Sequence, residues 1–568
     1  MCLGDEYSIV LAVIWWYERL MQILRTSALK RLCSNDAKRF FFSVFFVFLF
    51  LVFTCCFYSP RWETNDDIAM SMVAHGYGLA AYSSPQIIFS NVLWGHVVRN
   101  IPSVFGVLGY SLATLFSLFA SGVGILYFLR RLGVGWTASA AVTVLALLRP
   151  AIFPQFTLNS GLLTIVAVLA LVHYVQVRKA RILGVALLFG LVGFLIRSHQ
   201  FAIVLFASLP FLQLNVLYRD RKFRLFVLSF LALLSFAIGV DWLSYCGPEW
   251  AQFFEINGAR AAYTDFGLAT QLKRSPEIIQ ARGYSNNDLD LITSFFFSDP
   301  SITRPENLRE MQTALGTLPF VAANVPLVLA AVESFFSVTI LPITALACVL
   351  FAFRPSRKGA AAFLLVISCA SLLGLIGRGG LDRVLAPLVT MLAIFSMINI
   401  SRYEGSSERR RVVALGTFSV LKCSLAMLAV AATFWFVNRQ ALVAREQVQI
   451  SQDEARRFPK TLIFSWGVGI RIESIFPVLA NDSTLQDMRI YGLGVFTHAP
   501  FSRAHTEEVE GRGFVPRIRT PEGISIVASD GNIALLRIWC QERFGSTLVE
   551  EDLVSGSMMV LKRVSCAV

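Results

Sequence analysis

Eleven apolar stretches, separated alternately by clusters of Lys and Arg, constrain this 568-residue chain more than any other feature. The runs 40–57, 104–129 and 412–437 each approach or exceed the ~20 residues that cross a hydrocarbon core. Only 15% of residues are charged and the mean hydropathy is +0.62, whereas a soluble domain carries about 25% charged residues. The fold class is therefore a polytopic α-helical membrane protein with about 11 transmembrane helices. The formal net charge is +13, which in a soluble protein would suggest nucleic acid. Here the excess sits in short loops, at Arg130-Arg131, Arg178/Lys179/Arg181, Arg219/Arg221/Lys222/Arg224, Arg354/Arg357/Lys358 and Arg409-Arg410-Arg411. That is the distribution of a topology signal. No basic stripe interleaved with aromatics lies on a soluble face, so nucleic acid is excluded as a partner.

Hydropathy places spans near 40–58, 105–128, 135–150, 158–177, 182–196, 200–217, 224–241, 335–353, 359–377, 384–400 and 413–437. Lys30, Arg31, Lys38 and Arg39 precede the first span and hold the N-terminus in the cytoplasm. All five basic clusters then fall inside, and the C-terminus falls outside. Residues 1–39 read as a cytoplasmic segment. The stretch 9–16, with Trp15 and Trp16, is too short to span and suits an interfacial amphipathic helix. The transmembrane domain covers 40–437, with extracytoplasmic loops at 59–104 and 242–317. Residues 438–568 form an extracytoplasmic C-terminal domain. It opens on a helical continuation of the last span. Strand-like runs then follow at 461–467, 488–495, 524–528 and 558–561, with a helix over 532–544, giving a small α/β or α+β unit. The apolar run 318–333, holding Pro319 and Pro326, reads as re-entrant or interfacial, because a full crossing would invert every later loop.

Ten cysteines are scattered, and none has zinc-ligand spacing. Cys540 and Cys566 share the C-terminal domain, in a compartment that permits a disulfide. The sharpest polar feature is Asn65-Asp66-Asp67, just past the first span. The bland reading is a solvated loop capping a short helix over 68–76, with Asn65 or Asp66 as N-cap. Carboxylates beside a bilayer are costly unless solvated, paired or used.

An acidic pair in the first outer loop, ahead of a large membrane domain and an outer C-terminal domain, resembles the GT-C superfamily of integral-membrane glycosyltransferases. The resemblance covers the layout of the chain. At residue level it rests on Asp66-Asp67. It implies transfer of a sugar from a polyprenyl phosphate or diphosphate carrier to a glycan, lipid or protein acceptor, in a bacterial inner membrane. Asp66 or Asp67 would serve as general base. Guanidinium groups at outer helix ends would hold the carrier phosphate. Arg197 and His199, between the fifth and sixth spans, and Arg378 and Arg383, between the ninth and tenth, are candidates. Arg149 is a weaker one. In the large loop Glu255, Arg260, Tyr263 and Asp265 are candidate sugar contacts, although surface ion pairing explains them as well. His75 and His96 flank the acidic pair, and His96 is carried as a substrate contact. No cofactor is required for a monophosphate carrier, whereas a diphosphate would recruit Mg²⁺ or Mn²⁺. Two other classes compete. An O-antigen-type polymerase or ligase would use Arg197 and His199 without the aspartates. A lipid-linked glycan transporter would bury charges mid-span, and these spans are nearly free of charge except at their ends.

Overall fold

The structure is a computed structural model that describes residues 35–316, 325–378, 380–404, 415–467, 469–479 and 483–566. The 9–16 segment, Lys30, Arg31, Gly379 and the 409–411 arginines lie outside the described residues.

Among the described residues, seven helices are long and apolar enough to cross a membrane alone. They are α1 (Asn35–Tyr58), α4 (Gly109–Arg131), α6 (Phe156–Val177), α9 (Arg221–Ser244), α15 (Arg357–Leu375), α16 (Asp382–Glu404) and α17 (Leu415–Ala455). An eighth crossing would be the pair α13 (Val325–Glu333) and α14 (Leu341–Phe353), bent by 83° at the break between them. Three of the expected spans are shorter apolar helices: α5 (Trp136–Ile152), α7 (Ala180–Ile196) and α8 (Ser198–Ser208). Of the expected 318–333 run, residues 318–324 lie outside the described residues; the rest is helical from Val325, and the 83° bend falls after it, between Phe336 and Leu341, rather than at its prolines.

Helices α6 and α16 form the middle of the bundle, each buried over 83% of its most apolar stretch, whereas α9 is buried over 11% and lies at the rim. Close backbone approach holds the centre together. A Cβ on Gly161 of α6 would sit 2.5 Å from the Pro387 ring of α16. Lipid tails are as apolar as Leu, so helices in a membrane gain more from such tight contact than from burial.

The two ends of the bundle differ in chemistry. At one end Arg131 pairs with Asp36, and Arg178 pairs with Asp220 at 2.8 Å. These contacts join the start of α1 to the end of α4, and the end of α6 to the start of α9. At the opposite end the 59–104 segment is laced across five helix termini. Arg61 and Glu63 donate backbone N–H groups to the carbonyls of Ile152, at the end of α5, and Pro154, just beyond it. Ser90 Oγ donates to the Ile196 carbonyl of α7 at 2.7 Å. The Val92 N–H donates to Asp241 of α9 at 2.7 Å. This segment carries two short helices, α2 (Asn65–His75) and α3 (Val92–Asn100). Thr64, rather than Asn65 or Asp66, occupies the cap position of α2 and makes no side-chain cap bond, so both aspartates stand in the first turn. There a carboxylate interacts favourably with the helix dipole. Gly76 ends α2 with φ +75°, and a Cβ there would also meet the Ser83 nitrogen at 2.7 Å.

The long loop folds as helices α10 (Ala251–Thr264), α11 (Asn286–Thr293) and α12 (Pro305–Leu315), with shorter turns between. After Ala455 comes a five-stranded sheet in the order β2-β1-β3-β5-β4. Its strands are β1 (Leu462–Trp466), β2 (Arg489–Leu493), β3 (Ile524–Val527), β4 (Val549–Ser555) and β5 (Val560–Ser565), with α18 (Asp530–Phe544) between β3 and β4. The first three strands are parallel, and β5 runs antiparallel to both β3 and β4. Cys540 and Cys566 form a disulfide. The loop and the sheet share one core. Phe296 packs on Trp466, Phe514 and Trp539. Trp539 Nε1 donates to Asp299 at 2.8 Å, and Arg543 pairs with Asp288 at 2.8 Å.

Candidate active site

Adjacent in sequence, Asp66 and Asp67 point into opposite surroundings. Asp67 is fully buried. Its Oδ1 accepts the Tyr110 hydroxyl and the Phe156 N–H, each at 3.0 Å, and so ties α2 to the starts of α4 and α6. Its Oδ2 is buried without a hydrogen-bond partner. Burial raises the Asp67 carboxyl well above the usual carboxylate range, and the neighbouring Asp66 charge adds to the effect. His75, at the end of the same helix, accepts the Tyr110 N–H through Nε2 at 3.2 Å, and burial lowers its ring to about 4. The His75 ring is therefore neutral near pH 7, and both groups are placed as packing and tethering residues.

Asp66 is partly exposed. It pairs with Arg383 of α16 across 3.2 Å, the two side chains being 29% and 30% exposed. That is enough for each to be reached from solvent. On one side of the pair Asp66 lines a cavity of about 130 Å³ roofed by the sheet. Its roof comes from the carboxyl ends of β1 and β2 and the turns beyond them, including Ser465, Gly467, Gly492 and Gly494. Open α/β sheets place ligands at the carboxyl ends of parallel strands, at the point where strand order reverses. Here the order reverses between β1 and β3, and the cavity lies beside that point, at the carboxyl ends of β1 and β2. On the other side Arg383 tops a narrow crevice of about 40 Å³ that descends between α5, α6, α14, α16 and α17.

Two further cations face this junction. Arg197, in the break between α7 and α8, donates to the Phe89 carbonyl at 2.9 Å and lies over the Phe156 ring at 5.3 Å. Burial lowers its guanidinium to about 10, opposed by the Asp66 charge and reinforced by Arg383 and Arg378. Arg378 pairs with Asp265 of the long loop at 3.0 Å and stacks over Phe266. His199 is exposed two residues past Arg197, within electrostatic range of Arg197 and Arg378. Asp66, Arg197, His199, Arg378 and Arg383, spread over more than 300 positions, thus share one neighbourhood.

Other expected residues stand elsewhere. Arg260 is 6% exposed, bound to Asn257 and Thr264 and covered by Phe295 and Phe297, so it builds the loop subdomain. Tyr263 is buried and donates to the Leu308 carbonyl. Glu255 is exposed, as is His96, on α3, whose ring has no hydrogen bond to the acidic pair. Asp382 does not pair with Arg383. It accepts from Ser337 at 2.8 Å and from Thr339, and so pins the break between α13 and α14. Three residues at the site carried little signal in sequence. Tyr110 is an ordinary aromatic opening a span. Glu63 pairs with Arg149 at 2.5 Å and lines the crevice. Ser465 is one small residue in a strand. Among the described residues no three His, Cys, Asp or Glu side chains gather as a metal site.

No family model matches the chain, and no curated protein matches it. Among solved structures it is similar to the crystal structure of ArnT from Cupriavidus metallidurans bound to undecaprenyl phosphate. The identity is 14% and the TM-score 0.38, over 92% of this chain and 98% of that chain. A likeness at that score assigns neither fold family nor activity.

Proposed function

We propose that the chain is a GT-C-like membrane glycosyltransferase that uses a polyprenyl-phosphate-linked sugar, with Asp66 as the general base. One observation carries the reading. Among the two aspartates, only Asp66 stands at a solvent-reachable junction, between a strand-end cavity fit for a polar acceptor and a crevice leading into the helices. The acceptor hydroxyl gives its proton to the Asp66 carboxylate as its oxygen attacks the anomeric carbon. The bond from that carbon to the carrier phosphate breaks, and the phosphate leaves with the electron pair. Proton removal of this kind contributes ~10²–10⁴-fold. Arg383, Arg197 and Arg378 neutralise the departing phosphate. A single displacement inverts the anomeric centre. Arg383 has two partners in this scheme. It holds Asp66 in the empty site and turns to the phosphate when donor arrives, which frees the base only once substrate is present. Asp67 has a different task, that of fixing α2 against α4 and α6 through Tyr110 and Phe156.

Sidedness follows the charge rule: the Arg131 end is cytoplasmic and the Asp66 end extracytoplasmic, in a bacterial inner membrane crossed about eleven times. Full chain in vesicles, offered a panel of polyprenyl-phosphate hexoses and pentoses with glycan and lipid acceptors, should release polyprenyl phosphate with at least one donor. Asp66→Asn should reduce that release by ~10²–10⁴-fold. A ligase working through Arg197 and His199 would keep full activity in Asp66→Asn, and that result would replace this reading.

A further inference from the structure

A second charged cavity lies at the Asp66 end of the bundle, on the other flank of Glu63. It holds about 440 Å³ and is walled by Arg61, Glu63, Arg149, Arg439, Gln440 and Gln447. Three guanidinium groups face one carboxylate, so the wall carries +3 − 1 = +2. Arg149 takes Glu63 at 2.5 Å and Gln440 Oε1 at 2.6 Å. Arg61 donates to Gln447 Oε1 at 3.3 Å and Ser474 Oγ at 3.1 Å. Both glutamine oxygens are neutral and leave the charge uncompensated. Behind the wall, Glu473 acts on Arg61 more strongly than Glu63 does, and Arg471 opposes it more weakly, so Arg61 is partly compensated while Arg439 is not. Two polar atoms of the wall, Arg61 Nε and Glu63 Oε2, are buried with no hydrogen-bond partner.

Depth in the bilayer can be read from the aromatics. Tyr58 ends α1 and donates to Asn438, and exposed Trp435 lies under the Arg439 guanidinium at 4.3 Å. Tyr and Trp at the ends of apolar helices mark headgroup level. The topology signal puts the basic clusters at the opposite end, so it does not ask for arginines here. Phe153, Val443 and Ala444 add an apolar surface beside the charges. Glu63 and Arg149 line both this cavity and the crevice below Arg383, so the two spaces share a wall.

We infer that this cavity is a second phosphate site, which holds the headgroup of a lipid phosphate next to the transfer site. Guanidinium forks match phosphate oxygens in geometry and charge, and the apolar side accepts the first units of the chain. The inference stands apart from the transfer reading, because it concerns binding and requires no chemistry at Asp66.

The test uses full-length protein in dodecyl maltoside, a detergent without phosphate, and native mass spectrometry to count bound ligand. The probes are a polyprenyl phosphate, the uncharged polyprenol of the same length, and inorganic phosphate. The wild type should retain polyprenyl phosphate and not polyprenol. The double variant Arg61→Gln/Arg439→Gln should bind it about tenfold more weakly at one site, the strength expected of charge-assisted bonds. Arg61→Lys/Arg439→Lys should recover most of that loss, which separates lost charge from lost fold. Displacement of the lipid by millimolar inorganic phosphate would identify the anion alone as the ligand, and its absence would identify the whole lipid headgroup. Equal retention of polyprenol, or an unchanged affinity in the Gln double variant, or a Lys pair no better than the Gln pair, would overturn the site.

Discussion

At the residue scale, under the proposed function, the two aspartates divide structure from chemistry. Burial raises the Asp67 carboxyl, and its replacement by the isosteric amide keeps an oxygen to accept both bonds from Tyr110 and Phe156. Asp67→Asn should leave the melting temperature near that of wild type at pH 5. Its pH response should differ. A carboxyl whose folded pKa is raised contributes stability in full below its unfolded pKa of about 4, and loses it as pH rises toward the folded value. Thermal melts in detergent should therefore show wild-type stability declining from pH 5 to 8 relative to Asp67→Asn, whereas parallel profiles would mean that Asp67 is ionised. Asp67→Ala removes the acceptor from a buried N–H and hydroxyl and should cost about 1–3 kcal/mol. Sequence reading located the acidic pair but could not rank its members. Neighbours in the first turn of a helix look alike in sequence, and their difference comes from Tyr110 and Phe156, which are 43 and 89 positions away. The arginine convergence was legible for a physical reason. Cations at the end of a bundle that the charge bias should keep poor in them need a task.

At the scale of elements, the long helix α17 connects the bundle to the sheet. Its Glu454 is 2% exposed and accepts the N–H groups of Ser557, Met558 and Met559, in the turn between β4 and β5. A carboxylate with three backbone donors is a strong anchor. Glu454→Ala should destabilise the docking of the sheet by about 2–4 kcal/mol. Limited proteolysis should then cut near residues 456–461 faster than in wild type, and an unchanged rate would remove Glu454 as the anchor. The helical continuation of the last span, the strands β1, β2 and β3, and α18 were all readable from pattern. Strand β4 was not. It reads Val-Glu-Glu-Asp-Leu-Val-Ser, and its acids suit the exposed edge of a sheet, where charge guards against pairing with other chains. The shorter helices α5, α7 and α8 matched expected spans in position, but their length alone gives no crossing.

At the scale of the molecule, the outer pieces are interlocked. The 59–104 segment crosses five helix ends, and the 242–317 loop shares its aromatic core with the sheet. Phe296→Ala, at the centre of that shared core, should cost about 3–5 kcal/mol and loosen both parts together, measured as a single cooperative loss of protection in hydrogen exchange. Separate transitions for loop and sheet would contradict a common core. Sequence separated these segments as loop and domain because hydropathy reports only distance from lipid and says nothing of which outer segments pack together. Sidedness has its own test. Cys246 is exposed just beyond the Asp66 end of α9, and Arg219 is exposed just before its other end. A membrane-impermeant maleimide applied to intact cells should label native Cys246. Arg219→Cys in a Cys246→Ser background should stay unlabelled until the membrane is opened. The reverse pattern would turn the whole arrangement over.

The central claim is that one aspartate of the pair does chemistry and the other holds the fold. The most direct measurement is the rate of polyprenyl phosphate release by Asp66→Asn relative to Asp67→Asn, at equal folded protein and saturating donor. The account predicts Asp67→Asn within about threefold of wild type and Asp66→Asn lower by ~10²–10⁴-fold. Equal rates in the two variants, or a larger loss in Asp67→Asn, would contradict it.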